Sequence, residues 1–159
     1  MEKILNGVNR IVEYIVSLLL IVMVIVVFLQ VIFRFVLHSS LPWSEEVSRY
    51  ILIWISFLGA SIGVKRGAHI GVEVVTNILP RKIKKVVAFL ATLFATAFFA
   101  IMVIYGRRIL GIVSSQLSPA MEISMGIPYS AIFTSGVLMF VYSVEQALAI
   151  ATGRKGEAR

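Results

Sequence analysis

The residues of this chain that could do chemistry gather in one short stretch, Trp43-Ser44-Glu45-Glu46-Val47-Ser48-Arg49-Tyr50, directly after Pro42. Two carboxylates, a guanidinium, a phenol and an indole within eight residues suit ion pairing and docking. Glu45 and Arg49 are four apart, so on a helix they meet on one face. Glu46 is placed to reach Arg34 across a short turn and so lock two helices together. Ser44 has the chemistry of an N-cap, its hydroxyl accepting an orphan backbone N–H. Glu45 and Glu46 then fall in the first turn, where the helix dipole favours negative charge. Pro42 suits a chain that is not yet helical. Two readings stand together: an outward docking surface for a partner, and a capped helix start held by its own ion pair.

Other polar residues offer less. Gln30 interrupts an apolar run and can hydrogen-bond to another helix. His38 and His69 both fall outside the apolar runs and far apart, a poor basis for a metal site or for haem ligation between spans. With no cysteine, disulfides, thiolate metal sites and covalently attached haem are excluded. No Gly-rich phosphate loop, Ser/His/Asp arrangement or carboxylate dyad is present. The chain therefore has no catalytic residues to nominate, no cofactor to expect, and no reason to be an enzyme.

The elements that position these residues belong to a membrane protein. The chain has 159 residues, 59% hydrophobic and 14% charged, with mean hydropathy +0.96. A soluble domain carries about 25% charged residues. Four runs are long and apolar enough to cross a hydrocarbon core of about 30 Å. The fold class expected is all-α, a single membrane domain with spans at about 12–37, 45–64, 86–106 and 127–151. The second uncharged run, Tyr50 to Val64, is short, and Trp43, Tyr50 and Trp54 suit it as interfacial anchors. The 65–85 connection holds six cations around apolar residues and reads as partly interfacial. Lys and Arg number eleven on the side of the termini and four on the other, which predicts both termini in the cytoplasm. The net charge of +7 thus reads as topology signal and lipid headgroup contact, not as a nucleic-acid face.

Two further features bear on function. Ser56, Gly59, Ala60 and Gly63 lie at small-xxx-small spacing, which lets helix backbones approach closely. They serve packing either inside the four-helix unit or against another subunit. None of the four spans carries an acid or base at its centre, and Glu13 and Glu145 fall near span ends. An ion-coupled carrier needs such groups or broken helices at mid-depth, so this chain alone is not built to move a charged solute.

Taken as an ordered set, Gln30-Val31-x-x-Arg34, Leu41-Pro42-Trp43-Ser44-Glu45-Glu46, Arg49-Tyr50, Trp54, Phe57-Leu58-Gly59-Ala60 and Arg66-Gly67-x-His69-Ile70 resembles the small membrane subunit of the tripartite ATP-independent periplasmic (TRAP) transporters. The four-span layout is similar along the whole chain. Glu73 departs from the Asp that the family favours, and the segment from Ser118-Pro119 to Ile127-Pro128 is similar more loosely. The resemblance implies a bacterial inner-membrane protein paired with a large multi-span subunit that holds the substrate and sodium sites. It implies a soluble periplasmic binding protein that delivers an organic acid of the dicarboxylate or sialic acid class. The small subunit is then a scaffold that braces the large one during sodium-coupled symport. Two alternatives remain open to the sequence: a self-sufficient homodimeric small carrier, and the membrane anchor of a respiratory complex.

Overall fold

A computed structural model describes residues 2–67 and 80–152. His69, Glu73 and most of the expected interfacial segment lie outside the described residues. Four helices account for nearly all the rest: α1 (Glu2–Phe35), α2 (Pro42–Lys65), α3 (Arg81–Val113) and α4 (Gly126–Ala151). Each is long and apolar enough to cross a membrane. The architecture is all-helical, as expected, and the protein is a multi-pass membrane protein.

The helix bounds differ from the expected spans for local reasons. α1 begins ten residues earlier than the apolar run. Its first turns are amphipathic, with Val12 buried, and Asn9 Nδ2 donates to Glu13 Oε1 at 2.7 Å, one turn apart. α2 begins at Pro42, not Glu45. Leu41 is extended at φ −108°, ψ 90° and occupies the N-cap position, which leaves Pro42 at N1, where its missing N–H and fixed φ cost nothing. Ser44 is therefore not the cap. It lies inside the first turn, buried, and its hydroxyl donates to the Leu41 carbonyl at 2.7 Å. α3 runs on past Arg107 and Arg108 to Val113, because arginine is a good helix former and a charge pair does not itself end a helix. α4 matches the expected span to within a residue.

The turn from α1 to α2 is tight. Ser39 N–H donates to Phe33 O at 3.0 Å, and His38 takes a left-handed conformation, φ 49°. His38 is thus a turn residue.

The helices pair in a row: α1 on α2, α2 on α4, and α4 on α3. The most apolar window of α1 buries none of its residues, whereas that of α4 is the most buried of the four. The core is consequently the α3–α4 seam and the side of α2 that faces it. Its contents are small and polar as much as apolar: Ala131, Ser135, Met139, Tyr142 and Ser143 on α4, Thr92 and Phe99 on α3, Leu58 and Ser61 on α2. Small residues let the backbones close up. A Cβ on Gly136 would stand 3.0 Å from Met102 Cε and 3.4 Å from Val103 Cγ2, and one on Gly106 would lie 3.5 Å from Phe133 Cα. Across the same seam Thr96 Oγ1 donates to Ser143 Oγ at 3.0 Å.

Candidate functional site

The charged stretch opens α2, and the fold brings a third element to it, the α3–α4 loop. Glu46 is the centre. Its side chain is buried, with 6% exposure, although its residue type belongs in water. The burial is met by donors. Glu46 Oε2 accepts from the backbone N–H of Ala120 at 2.9 Å and of Met121 at 3.1 Å. Its Oε1 accepts from the Tyr50 hydroxyl, one turn along α2. The Tyr50 oxygen also lies 3.3 Å from Met125 Sδ.

The loop is shaped to present those two amides. Ser118 N–H donates to Ile123 O at 2.8 Å, and Leu117 and Ser124 form a single antiparallel bridge. Glu122 closes the turn with φ 53°, and the buried Ser118 hydroxyl accepts from Ile123 N–H at 3.2 Å. A carboxylate that accepts two adjacent backbone amides makes charge-assisted bonds, the strong kind. Removing it would leave those two part-buried donors without their acceptor.

The rest of the stretch divides by exposure. Arg49 donates to Glu45 Oε1 at 3.1 Å on the open face, as the spacing predicts. Arg34 does not pair with Glu46. Its guanidinium lies 5.9 Å from the Phe35 ring centroid, while the Glu46 carboxylate is taken up by the loop amides and Tyr50. What Arg34 does share is a cleft of about 230 Å³ with Gln30, Ser40, Leu41, Pro42 and Glu45. A larger open cavity of about 470 Å³ lies between the start of α2 and the loop, walled by Pro42, Glu45, Arg49, Ile53, Pro128 and Tyr129 among others. Trp43 is exposed, and Trp54 is half-buried. Gln30, Arg34, Trp43, Glu45, Glu46, Arg49 and Tyr50 thus belong to one end of the molecule.

The small-residue stripe belongs elsewhere. α2 turns Tyr50, Leu58 and Ser61 inward. Ser56 and Ala60 are exposed, and a Cβ on Gly59 or Gly63 would meet nothing within 4 Å. Among the described residues, then, the stripe makes no close helix contact within this chain.

A second polar cluster lies toward the opposite end, and its members share no spacing in the sequence. Lys65 Nζ lies 2.6 Å from Glu145 Oε2, with side chains only 12% and 16% exposed. The same ammonium stands 5.5 Å from the Tyr142 ring centroid. Gln146 Nε2 donates to the Val64 carbonyl, which also accepts from Gly67 N–H at 3.0 Å at the end of α2. Arg66 pairs with Glu13 at 2.9 Å and so ties α2 to α1. The available signal was Glu145-Gln146 interrupting an apolar run, opposite the only cations close behind α2. Long-range pairing of this kind has no sequence period.

Fold and site together define a class: a multi-pass helical membrane protein whose polar groups tie its own helices together and leave an open, charged end. The comparison with known proteins is more specific. Residues 23–153 match the family described as tripartite ATP-independent periplasmic transporters, DctQ component, and the chain belongs to that family. It is 26% identical over 148 residues to the sialic acid TRAP transporter permease protein SiaT of Haemophilus influenzae, covering 92% of this chain and 24% of that one. It is 33% identical over 96 residues to the C4-dicarboxylate TRAP transporter small permease protein DctQ of Vibrio cholerae, covering 60% of this chain and 41% of that one. A putative TRAP transporter small permease protein of Haemophilus influenzae is 28% identical over 140 residues, 87% of this chain and 86% of its own length. The chain therefore spans about a quarter of the first relative and about two fifths of the second. These relatives are transporter components, not enzymes.

Proposed function

We propose that this chain is the small scaffold subunit of a TRAP-type secondary transporter in a bacterial inner membrane. It braces a large multi-span transport subunit during sodium-coupled uptake of an organic acid, which a periplasmic binding protein delivers transiently. Family membership supports this reading. So does the length of the relatives: the segment similar to this chain makes up 24% of the Haemophilus sialic acid permease and 16% of the isethionate TRAP transporter permease protein DctMQ of Oleidesulfovibrio alaskensis. In such proteins the small unit travels with a much longer partner. The substrate class follows the relatives, dicarboxylate or sialic acid. Both termini lie in the cytoplasm on the distribution of Lys and Arg, which turns the Glu46 end outward.

The observation that carries the scaffold reading is how the charges are used. Glu46, Glu13 and Glu145 are each spent on a bond to another part of this same chain. Such bonds hold a rigid body, and none of these three carboxylates is left free for ion coupling. The test is co-expression with the adjacent large permease gene. The expected result is a stable complex, with transport lost when this chain is omitted. Full transport in its absence, or solute flux in liposomes holding this chain alone, would overturn the scaffold role, the latter in favour of a self-sufficient carrier.

A further inference from the structure

Arg107 and Arg108 are adjacent charges on α3 that the scaffold role does not use. Other cations meet an acid: Arg49 pairs with Glu45, Lys65 with Glu145, and Arg66 with Glu13. Neither Arg107 nor Arg108 has a carboxylate partner among the described residues. Both are exposed, Arg108 on the side of α3 away from the Gly106–Phe133 contact and Arg107 on its flank. Their surroundings are apolar in both directions along the helix. Ile101 and Ile104 lie on one side, Ile109 and Ile112 on the other, all exposed. Tyr105, also exposed, stands beside Arg108 with its ring centroid 5.6 Å from that guanidinium.

Their depth can be read from the α3–α4 register. Gly106 lies against Phe133, and Ser114 against Gly126. The arginines are therefore level with the second turn of α4, about 8 Å along the axis inside the helix ends. The uncharged run below them, Val86 to Gly106, is about 31 Å long as a helix, the thickness of a hydrocarbon core. A headgroup layer adds roughly 6 Å on each side. The two guanidiniums consequently sit where hydrocarbon gives way to phosphate, with a tyrosine of the kind that marks that boundary.

We infer that Arg107 and Arg108, with Tyr105, form a binding site for the phosphate group of a phospholipid in the leaflet at the Glu46 end of the molecule. Guanidinium forks match phosphate oxygens. The phenol offers one more donor, and exposed Ile101 and Ile104 line the path of the acyl chains. A bilayer supplies phosphate at this depth all around the protein, so the site needs no second protein to fill it. It depends on the chain spanning a membrane and not on the scaffold role.

The experiment is native mass spectrometry of the full chain in detergent, with phosphatidylglycerol, diacylglycerol of the same acyl chains, and inorganic phosphate as separate probes. Phosphatidylglycerol should be retained roughly tenfold better than diacylglycerol. R107Q/R108Q should lose that preference, R107K/R108K should keep part of it, and the charge-matched R154Q/K155Q should behave as the parent. Circular dichroism checks that the variants fold. If R107Q/R108Q does not fold, Tyr105→Phe and R107K/R108K carry the test, each expected to weaken retention. Equal retention of the two lipids by the parent, or a preference that survives undiminished in R107Q/R108Q, would overturn the site. Competition by free phosphate at equal concentration would reassign it to a soluble anion. Loss of the large subunit from R107Q/R108Q with lipid retention unchanged would make it a protein contact instead.

Discussion

Glu46 shows how much a single side chain decides here. A carboxylate at the start of a helix is expected to face water and the dipole. This one turns inward, accepts from Ala120 and Met121 N–H, and is held in place by Tyr50. Glu46→Ala should lower the melting temperature of the purified chain by several degrees, because two loop amides and the Tyr50 hydroxyl lose their acceptor. Tyr50→Phe should cost less, since the amides keep their partner. Thermal unfolding in detergent reads both, and equal stability of Glu46→Ala and parent would show that the loop does not depend on this bond. Glu46→Ala should also lower transport through poor assembly with the large subunit. The solute affinity of the periplasmic protein should stay unchanged when measured by calorimetry, and a shift there would contradict the scaffold reading. Arg34→Ala, which removes a wall of the neighbouring cleft and no buried bond, should leave the stability of the isolated chain nearly unchanged.

At the scale of the elements, α2 is clamped at both ends and smooth between. The inner clamp lies deeper than its place near the end of a span suggests. Thr96 faces Ser143, which sets Glu145 opposite Phe94, about 12 Å inward of Val86 along α3. An ion pair at that depth is costly to break from one side. Glu145→Gln should destabilise the chain by about 3 kcal/mol, and the swap K65E/E145K should recover part of the loss. A double-mutant cycle on thermal or denaturant unfolding measures the coupling, and additive effects would deny the pair. Glycine substitutions separate the two kinds of helix contact. Gly136→Val should destabilise the isolated chain, because Met102 and Val103 occupy the space. Gly59→Ala and Gly63→Ala should leave it unchanged or slightly more stable, since their surroundings are open and Ala is the better helix former. If these two also disturb co-purification with the large subunit, the stripe is part of that joint.

The whole molecule is a row of helices, not a closed bundle, and α1 leaves nearly all of its apolar surface to the surroundings. Such a shape suits a brace laid against something larger. Its orientation is open to a direct measurement because the chain has no cysteine. Single cysteines at Ser39 and Ser115 should react with a membrane-impermeant maleimide added outside intact spheroplasts. A cysteine at Gly156 should react only after lysis. The opposite pattern would invert the topology and move the Glu46 end to the cytoplasm.

Span number, helical class and the charged opening of α2 were legible in the sequence because they rest on local rules. Hydrocarbon thickness demands about 20 apolar residues in a row, and ion pairing along a helix demands a separation of four. The family resemblance lay in the same stretch. Helix ends were less legible, because capping at Leu41-Pro42 and the continuation of α3 past Arg107 depend on backbone geometry that more than one residue satisfies. The partners of Glu46, the Lys65–Glu145 pair and the outward turn of Gly59 and Gly63 could not be read at all. Each depends on which residues far apart in the chain arrive at the same height. That height is set only when α2 and α3 pack against α4, and no periodicity within a single helix encodes it.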